Sequence, residues 1–281
     1  MSTISAVMIV KNEEAVLEKC LQSLDGIDEI IILDTGSTDK TCEIARKFTD
    51  KVYEGVYEWN DNFAEARNKA LSYATTDWIL TIDADEHLVS SIQDVREAIT
   101  KGKNAVNVTM FDSKIQSFKS PRLYRRTPEV FWKGAVHNHL SVQGECDSNV
   151  TIIYGYSPAH KKDPDRSLRI LKKEVERTDN ARELFYLARE YVYRKDWPAA
   201  ITMYDKYLQK ATWAPVMAEA AFQRANAYFQ LHDLRNAQES ALEALRINAN
   251  FKEAAIEHKN TGGKVITYTA IDVTTKTGVK P

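Results

Sequence analysis

The sequence predicts an α/β domain built on a parallel sheet with helices on both faces, followed by an α-helical repeat domain. Three observations predict it. Short β runs alternate with amphipathic helical runs through roughly the first 90 residues, polar and charged residues collect where those β runs end, and a C-terminal segment repeats itself at a period of 37 residues. Strands alternating with helices make parallel sheets, and ligands of such sheets sit beyond the carboxyl ends of the strands.

SAVMIV, residues 5–10, is an unbroken apolar run and reads as a buried strand. EAVLEKCLQSL (14–24) places Val16, Leu17, Cys20, Leu21 and Leu24 on one helical face. EIIILD (29–34) is the second strand, and GSTDKTCEIARKF is a turn and helix with Ser37 or Thr38 as N-cap. KVYEGV is a third strand, NFAEARNKALSYA a helix and WILTID a fourth strand, so that Asp34 and Asp83 end two strands of the sheet. From about 100 to 155, NAVNVTMF, PRLYRR and VTIIYGY are β-like pieces between polar turns and read as the less regular half of the same domain. In SPAHKKDPDRSLRILKKEVER two prolines and a basic run lead into helix, which places the domain boundary near residue 165.

Beyond it, FYLAREYVYRKDWPAAITMYDKYL overlays AFQRANAYFQLHDLRNAQESALEAL. Phe185 falls on Phe222, Ala188 on Ala225, Tyr191 on Tyr228, Asp196 on Asp233, Ala200 on Ala237 and Leu208 on Leu245. Small and aromatic residues at helical spacing around a polar turn describe stacked helical hairpins, close to the tetratricopeptide pattern; a plain helical bundle is the simpler alternative. The repeats extend over 166–258, with NFKEAAIEH as a capping helix, and 259–281 is a tail, either a late strand or a flexible end.

Composition narrows the function classes. The chain has 281 residues, 43% hydrophobic and 28% charged, enough for one large domain or two ordinary ones, each with its own core. Its apolar stretches fall far short of the roughly 20 residues of a membrane span, and MSTISAVMIVKNEE lacks a signal peptide's basic start and cleavage region, so the expected address is cytoplasmic. Cys20, Cys42 and Cys146 lie far apart without a CxxC and read as reduced thiols rather than a disulfide framework or a zinc site. A net charge of -2 offers no general attraction to nucleic acid.

WILTIDADEHL drives an apolar run into Asp83, Asp85 and Glu86. Three acids within four residues repel one another and are costly to desolvate, so something positive is expected to meet them, a metal ion being the natural candidate. VKNEE behind the first strand, and Asp34 with GSTD behind it at the end of the second, bring polar groups to the same rim. Mg²⁺ and Mn²⁺ prefer oxygen ligands and keep positions open for phosphates, so an Asp83/Asp85 site suits a nucleotide diphosphate better than a structural ion.

The blocks SAVMIVKNEEAVLEKCLQSL, DEIIILDTGSTDKT, FAEARNKAL and DWILTIDADEHL, in that order, resemble the inverting nucleotide-sugar glycosyltransferases of the Rossmann-like GT-A fold, in the large family-2 group. The resemblance implies that Ile9 and Lys11 line the nucleotide base, that Asp34 binds the edge of uracil or its equivalent, and that Asn60 and Arg67 lie near the nucleotide. It further implies that Asp83 and Asp85 hold ribose and metal-diphosphate. Lys11 stands where the group commonly carries Tyr, and Asn12 reads as structural. Members with a DADE block often carry Gly-x-Val-His-Glu downstream; WKGAVHNHL (132–140) is similar, with Asn138 in place of the Glu.

Asn cannot serve as the general base that an inverting transfer requires. His137 is either a third metal ligand or that base, and Glu86, Asp112 and His139 are the other candidate bases. Lys161, Lys162 and Arg166 form a basic stretch that either closes over the diphosphate or simply leads into the helix. The reading is thus a Mn²⁺- or Mg²⁺-dependent glycosyltransferase that uses a nucleotide-sugar, UDP-linked by expectation, on a macromolecular acceptor. Peptide, glycan and DNA acceptors stay open, and the repeats suit acceptor capture or self-association. The alternative is a catalytically silent adaptor built on the same fold.

Overall fold

The computed structural model describes residues 2–102, 104–112, 117–159 and 163–249. They divide into two compact units, one ending at Pro164 and the other starting at Asp165.

In the first unit the elements run β1 (Ile4–Val10), α1 (Leu17–Gln22), β2 (Glu29–Asp34), α2 (Thr41–Ala45), β3 (Val52–Tyr53), α3 (Phe63–Leu71), β4 (Trp78–Thr81), β5 (Glu86–Leu88) and α4 (Ile92–Lys101). There follow β6 (Ala105–Phe111), β7 (Ser117–Arg125), β8 (Trp132–Lys133), β9 (His139–Leu140) and β10 (Cys146–Tyr154). Eight strands form one sheet in the order β3-β2-β1-β4-β7-β6-β10-β5, and β8 pairs with β9 as a separate ribbon. The sheet is parallel from β3 to β4 and again between β6 and β10; β7 enters antiparallel beside β4, and the pieces expected to be irregular are full strands of that same sheet.

Alternating side chains divide β1 between two cores, as the two-residue period of a strand requires. Ala6, Met8 and Val10 join Leu17, Leu21, Ala45, Val95 and Ala98 on the face carrying α1, α2 and α4. Val7 joins Ala64, Ala70, Trp132 and Leu140 on the face carrying α3 and the β8–β9 ribbon. The register sets Val10 beside Asp34 and Val7 beside Thr81, so the chain leaves β1, β2 and β4 on one edge of the sheet.

Local chemistry departs from expectation at the start of α2. Neither Ser37 nor Thr38 caps α2, which begins after Lys40 with no side-chain cap; both are instead bound to Asn12. Glu86 opens β5, a short strand antiparallel to β10. The entries of α3 and α4 follow sequence chemistry: Asn62 caps α3 through Glu65 N, and Ser91 and Asp94 close a reciprocal capping box on α4.

The second unit is helical: α5 (Arg166–Thr178), α6 (Ala181–Tyr193), α7 (Trp197–Lys210), α8 (Ala214–Gln230) and α9 (Leu234–Ile247). The turns α6–α7 and α8–α9 repeat each other in backbone detail. Lys195 and His232 both take φ 59°, and Asp196 and Asp233 after them each cap the following helix. The segment NFKEAAIEH, the tail 259–281, and Lys161 and Lys162 lie outside the described residues. Among the described residues no helix is long and apolar enough to cross a membrane. Cys20, Cys42 and Cys146 are free thiols, the first two buried.

Candidate active site

The loops leaving β1 and β2 are knitted together by Asn12. Its backbone sits at φ 57°, a left-handed conformation that Asn tolerates better than most residues. Its N–H donates to Ser37 Oγ (2.9 Å) and its Oδ1 accepts from Thr38 N (2.8 Å). Asp34, buried at the end of β2, accepts from Gly36 N (3.0 Å) and Ser37 N (3.0 and 3.1 Å), folding the GST turn around its own carboxylate. Lys11 is exposed on the first loop, and Ile9 lines a narrow crevice with Arg67, Thr81, Tyr124 and Trp132.

Beyond β4, the positive charge demanded by three neighbouring acids comes from two arginines for two of them. Arg67 on α3 reaches Asp83 Oδ1 at 2.6 Å, its guanidinium 5.1 Å from the centre of the Trp132 ring. Arg122 on β7 binds Glu86 Oε1 at 2.9 Å and stands 3.8 Å from Asp83 Oδ2. The antiparallel register, Leu80 beside Leu123, carries Arg122 to the exit of β4. Glu86 also accepts the Asp83 N–H at 2.9 Å, which fixes the turn between the two acids. Asp85 differs: its Oδ2 is buried and has no hydrogen-bond partner among the described residues. The sequence reading gives Asp83 and Asp85, with His137, to a metal ion; the structure supplies Asp83 and Glu86 with guanidinium partners as a further source of positive charge.

Two further residues complete this rim, and the sequence reading missed both in that role. Glu13 is buried, with Oε2 lacking a hydrogen-bond partner among the described residues. Burial pushes its carboxyl up to about 7; a hydrogen bond from Ser157 opposes the rise, and the charges of Asp85, Asp83 and Asp39 add to it. Gly155, at the exit of β10, donates to Asp85 O at 2.8 Å, and a Cβ there would stand 2.8 Å from the same oxygen, so glycine is needed for the approach. Arg122 had a signal: an arginine inside the alternating PRLYRR strand needs a buried acid to meet it. VKNEE is expected at the rim, but without Glu13 being singled out from it.

The remaining expected residues are placed as follows. Asn60 is exposed, accepts from Tyr57 OH (2.9 Å) and donates to Glu65 Oε2 (2.8 Å), within its own loop and the start of α3. His137 lies in the turn between β8 and β9 at φ 48°, with Asn138 next to it and His139 in β9. That ribbon is held to α3 by Phe63 N on Ala135 O (2.8 Å) and by the Asn68 amide on the Trp132 backbone (2.8 and 3.0 Å). Asp112 follows β6, and Arg166 begins α5 in the second unit. Among the described residues no three His, Cys, Asp or Glu side chains converge as an ion site, so His137 is not gathered with Asp83 and Asp85 into one.

The family model described as "Glycosyl transferase family 2" matches residues 5–177. The glycosyltransferase SunS of Bacillus subtilis is 30% identical over 210 residues, covering 67% of this chain and 49% of SunS. The lipopolysaccharide core biosynthesis glycosyltransferase LpsC of Rhizobium meliloti is 28% identical over 179 residues, 63% of this chain and 53% of LpsC. A TPR repeat-containing protein of Synechococcus elongatus is 36% identical over 143 residues, 49% of this chain and 35% of that protein. The chain thus spans about half or less of the length of these relatives. Among solved structures, S. aureus TarS 1-349 in complex with UDP-GlcNAc superposes with a TM-score of 0.53 at 14% identity, covering 95% of this chain and 97% of that one, a likeness of fold alone.

Proposed function

The chain belongs to glycosyl transferase family 2, and on that premise we propose that it moves a sugar, with inversion, from a nucleotide-diphosphate donor, UDP-linked by preference, to a macromolecular acceptor. The observation that carries this reading is the unpartnered buried oxygen of Asp85 at the strand-end rim, beside an Asp83 already held by two arginines.

The residues divide the work in this proposal. Asp34 and Ile9 frame the base; the Asp34 carboxylate spends part of its lone-pair capacity on the GST turn and keeps the rest for the base edge. Lys11 and Asn60 border that end of the donor. Arg67 and Arg122 hold Asp83 toward the ribose, and Arg67 keeps two buried N–H groups, on Nε and Nη1, for the nucleotide. Glu86, paired to Arg122, sets the position of Asp83 rather than touching substrate.

A divalent ion, Mn²⁺ or Mg²⁺, fits Asp85, whose free oxygen is the hard donor such an ion takes, and would neutralise the leaving diphosphate. We assign deprotonation of the acceptor to His137, with Asp112 and His139 as the other candidates and ion binding as the other role for His137. The helical hairpins from residue 166 are proposed as tetratricopeptide-like repeats that present the acceptor or join copies of the chain, a reading supported by one relative's name. Three free thiols suit a reducing, cytoplasmic setting.

Asn138, where a Glu is expected, favours one second reading, a silent adaptor that retains nucleotide binding. Donor hydrolysis, followed as release of UDP from UDP-sugars with Mn²⁺ and with EDTA, decides between them. Mn²⁺-dependent release supports the transferase; tight UDP binding without turnover of any donor supports the adaptor.

A further inference from the structure

We infer that Glu13 is a second protein ligand of the ion proposed at Asp85, the two carboxylates facing the same charge from opposite loops. The inference rests on the donor-site reading above and extends it to a residue of the β1–α1 loop.

Both side chains carry a buried carboxylate oxygen without a hydrogen-bond partner among the described residues. Buried polar groups are ordinarily satisfied, and an exception calls for an explanation such as a missing ion. The two orphans are also neighbours through a third segment. Gly155 N binds Asp85 O, and the Ser157 side chain binds the Glu13 carboxyl. Residues two apart in a chain are separated by no more than about 7 Å, so one short strap carries contacts to both acids. Asp85 is the foremost of the charges that act on Glu13.

Among the described residues, Ser157 is the one side chain that hydrogen-bonds that carboxylate. The Glu13 backbone is fixed independently, its N–H on Thr41 Oγ1 (2.7 Å) and its carbonyl accepting from Val16 N (3.1 Å) and Leu17 N (3.0 Å). Helix α1 has no side-chain cap, so Glu13 is not retained for capping. The two arginines of the rim are engaged by Asp83 and Glu86. Mg²⁺-type ions are commonly held by one or two carboxylates, with substrate phosphates and water filling the remaining positions, which matches two carboxylates without a third protein ligand.

The test measures Mn²⁺ binding by the full-length chain, with UDP present, by electron paramagnetic resonance of free Mn²⁺, alongside UDP affinity in EDTA and melting in EDTA. Glu13→Gln is expected to weaken Mn²⁺ binding by about 10-fold or more, with UDP affinity in EDTA unchanged and melting no lower than wild type. Ser157→Ala, which frees the Glu13 carboxyl without removing it, is expected to weaken Mn²⁺ binding by a smaller factor and serves if Glu13→Gln does not fold. Wild-type Mn²⁺ affinity in the Glu13 and Ser157 variants, with loss in Asp85→Asn, overturns the inference and leaves the donor-site reading standing. Equal loss of UDP affinity in EDTA would overturn it by assigning Glu13 to the nucleoside. If wild type binds no Mn²⁺, or Asp85→Asn binds it normally, the ion reading itself falls.

Discussion

Arg122 and Glu86, on strands that are not neighbours in the sheet, form an ion pair at 2.9 Å in which the Glu86 side chain is fully shielded from solvent and that of Arg122 is 12% exposed. The pair ties the central strand β7 to the turn carrying Asp83, and Glu86 passes the constraint on through the Asp83 N–H. Removing one partner of such a pair strands a charge in a low dielectric, whereas removing both need not.

Arg122→Leu is therefore expected to destabilise the first unit by about 3–5 kcal/mol, and the double variant Arg122→Leu, Glu86→Leu by clearly less. Urea unfolding of the four chains of this cycle measures it. Additive losses would show that the two side chains do not act as a pair.

Gly155 tests the other support of the acidic turn. Gly155→Ala places a methyl 2.8 Å from Asp85 O, and backbone cannot yield as a flexible side chain does. The Asp85 loop must shift, and a misplacement of this kind near a reacting centre costs on the order of 10²-fold in rate. UDP release from the preferred donor should fall by that factor while the melting temperature drops by only a few degrees. Full activity would show that the turn tolerates displacement.

His137 separates base from ligand by its kinetics. As the base, His137→Ala should lower transfer by about 10²–10⁴-fold and alter the pH profile near neutrality, with Mn²⁺ and donor affinities unchanged. A joint fall in Mn²⁺ and donor affinity would assign it to the ion instead. Unchanged rate and affinity would move the base to Asp112 or His139.

Glu29 sets an acid limit on stability. Burial raises its pKa, but hydrogen bonds from Lys51, Ser5 and Thr75 outweigh that and bring it from 4.5 to about 2. A folded-state pKa below the unfolded value means that the stabilisation is complete above 4.5 and is lost as pH falls from there towards 2. Glu29→Gln should cost about 2 kcal/mol at pH 7, and its melting temperature should depend less on pH across that acid window. Parallel profiles for variant and wild type would contradict the assignment.

What the sequence alone determined is the local layer of this protein. Strands such as SAVMIV and EIIILD, the helical face of Leu17, Cys20 and Leu21, and the 37-residue repeat whose turns at Lys195 and His232 share one φ all follow from period and turn chemistry, which act between near neighbours. The acids at the end of β4 were legible for the same reason. What answers those acids was decided only by tertiary structure: Arg67 comes from 16 residues before Asp83, and Arg122 from 36 after Glu86. The strap at Gly155 and Ser157 reaches back to Asp85 and Glu13. Composition shows that three acids need positive charge but not which charge arrives, because that depends on strand order and antiparallel register, and a register shifted by one residue would turn Arg122 to the other face of the sheet.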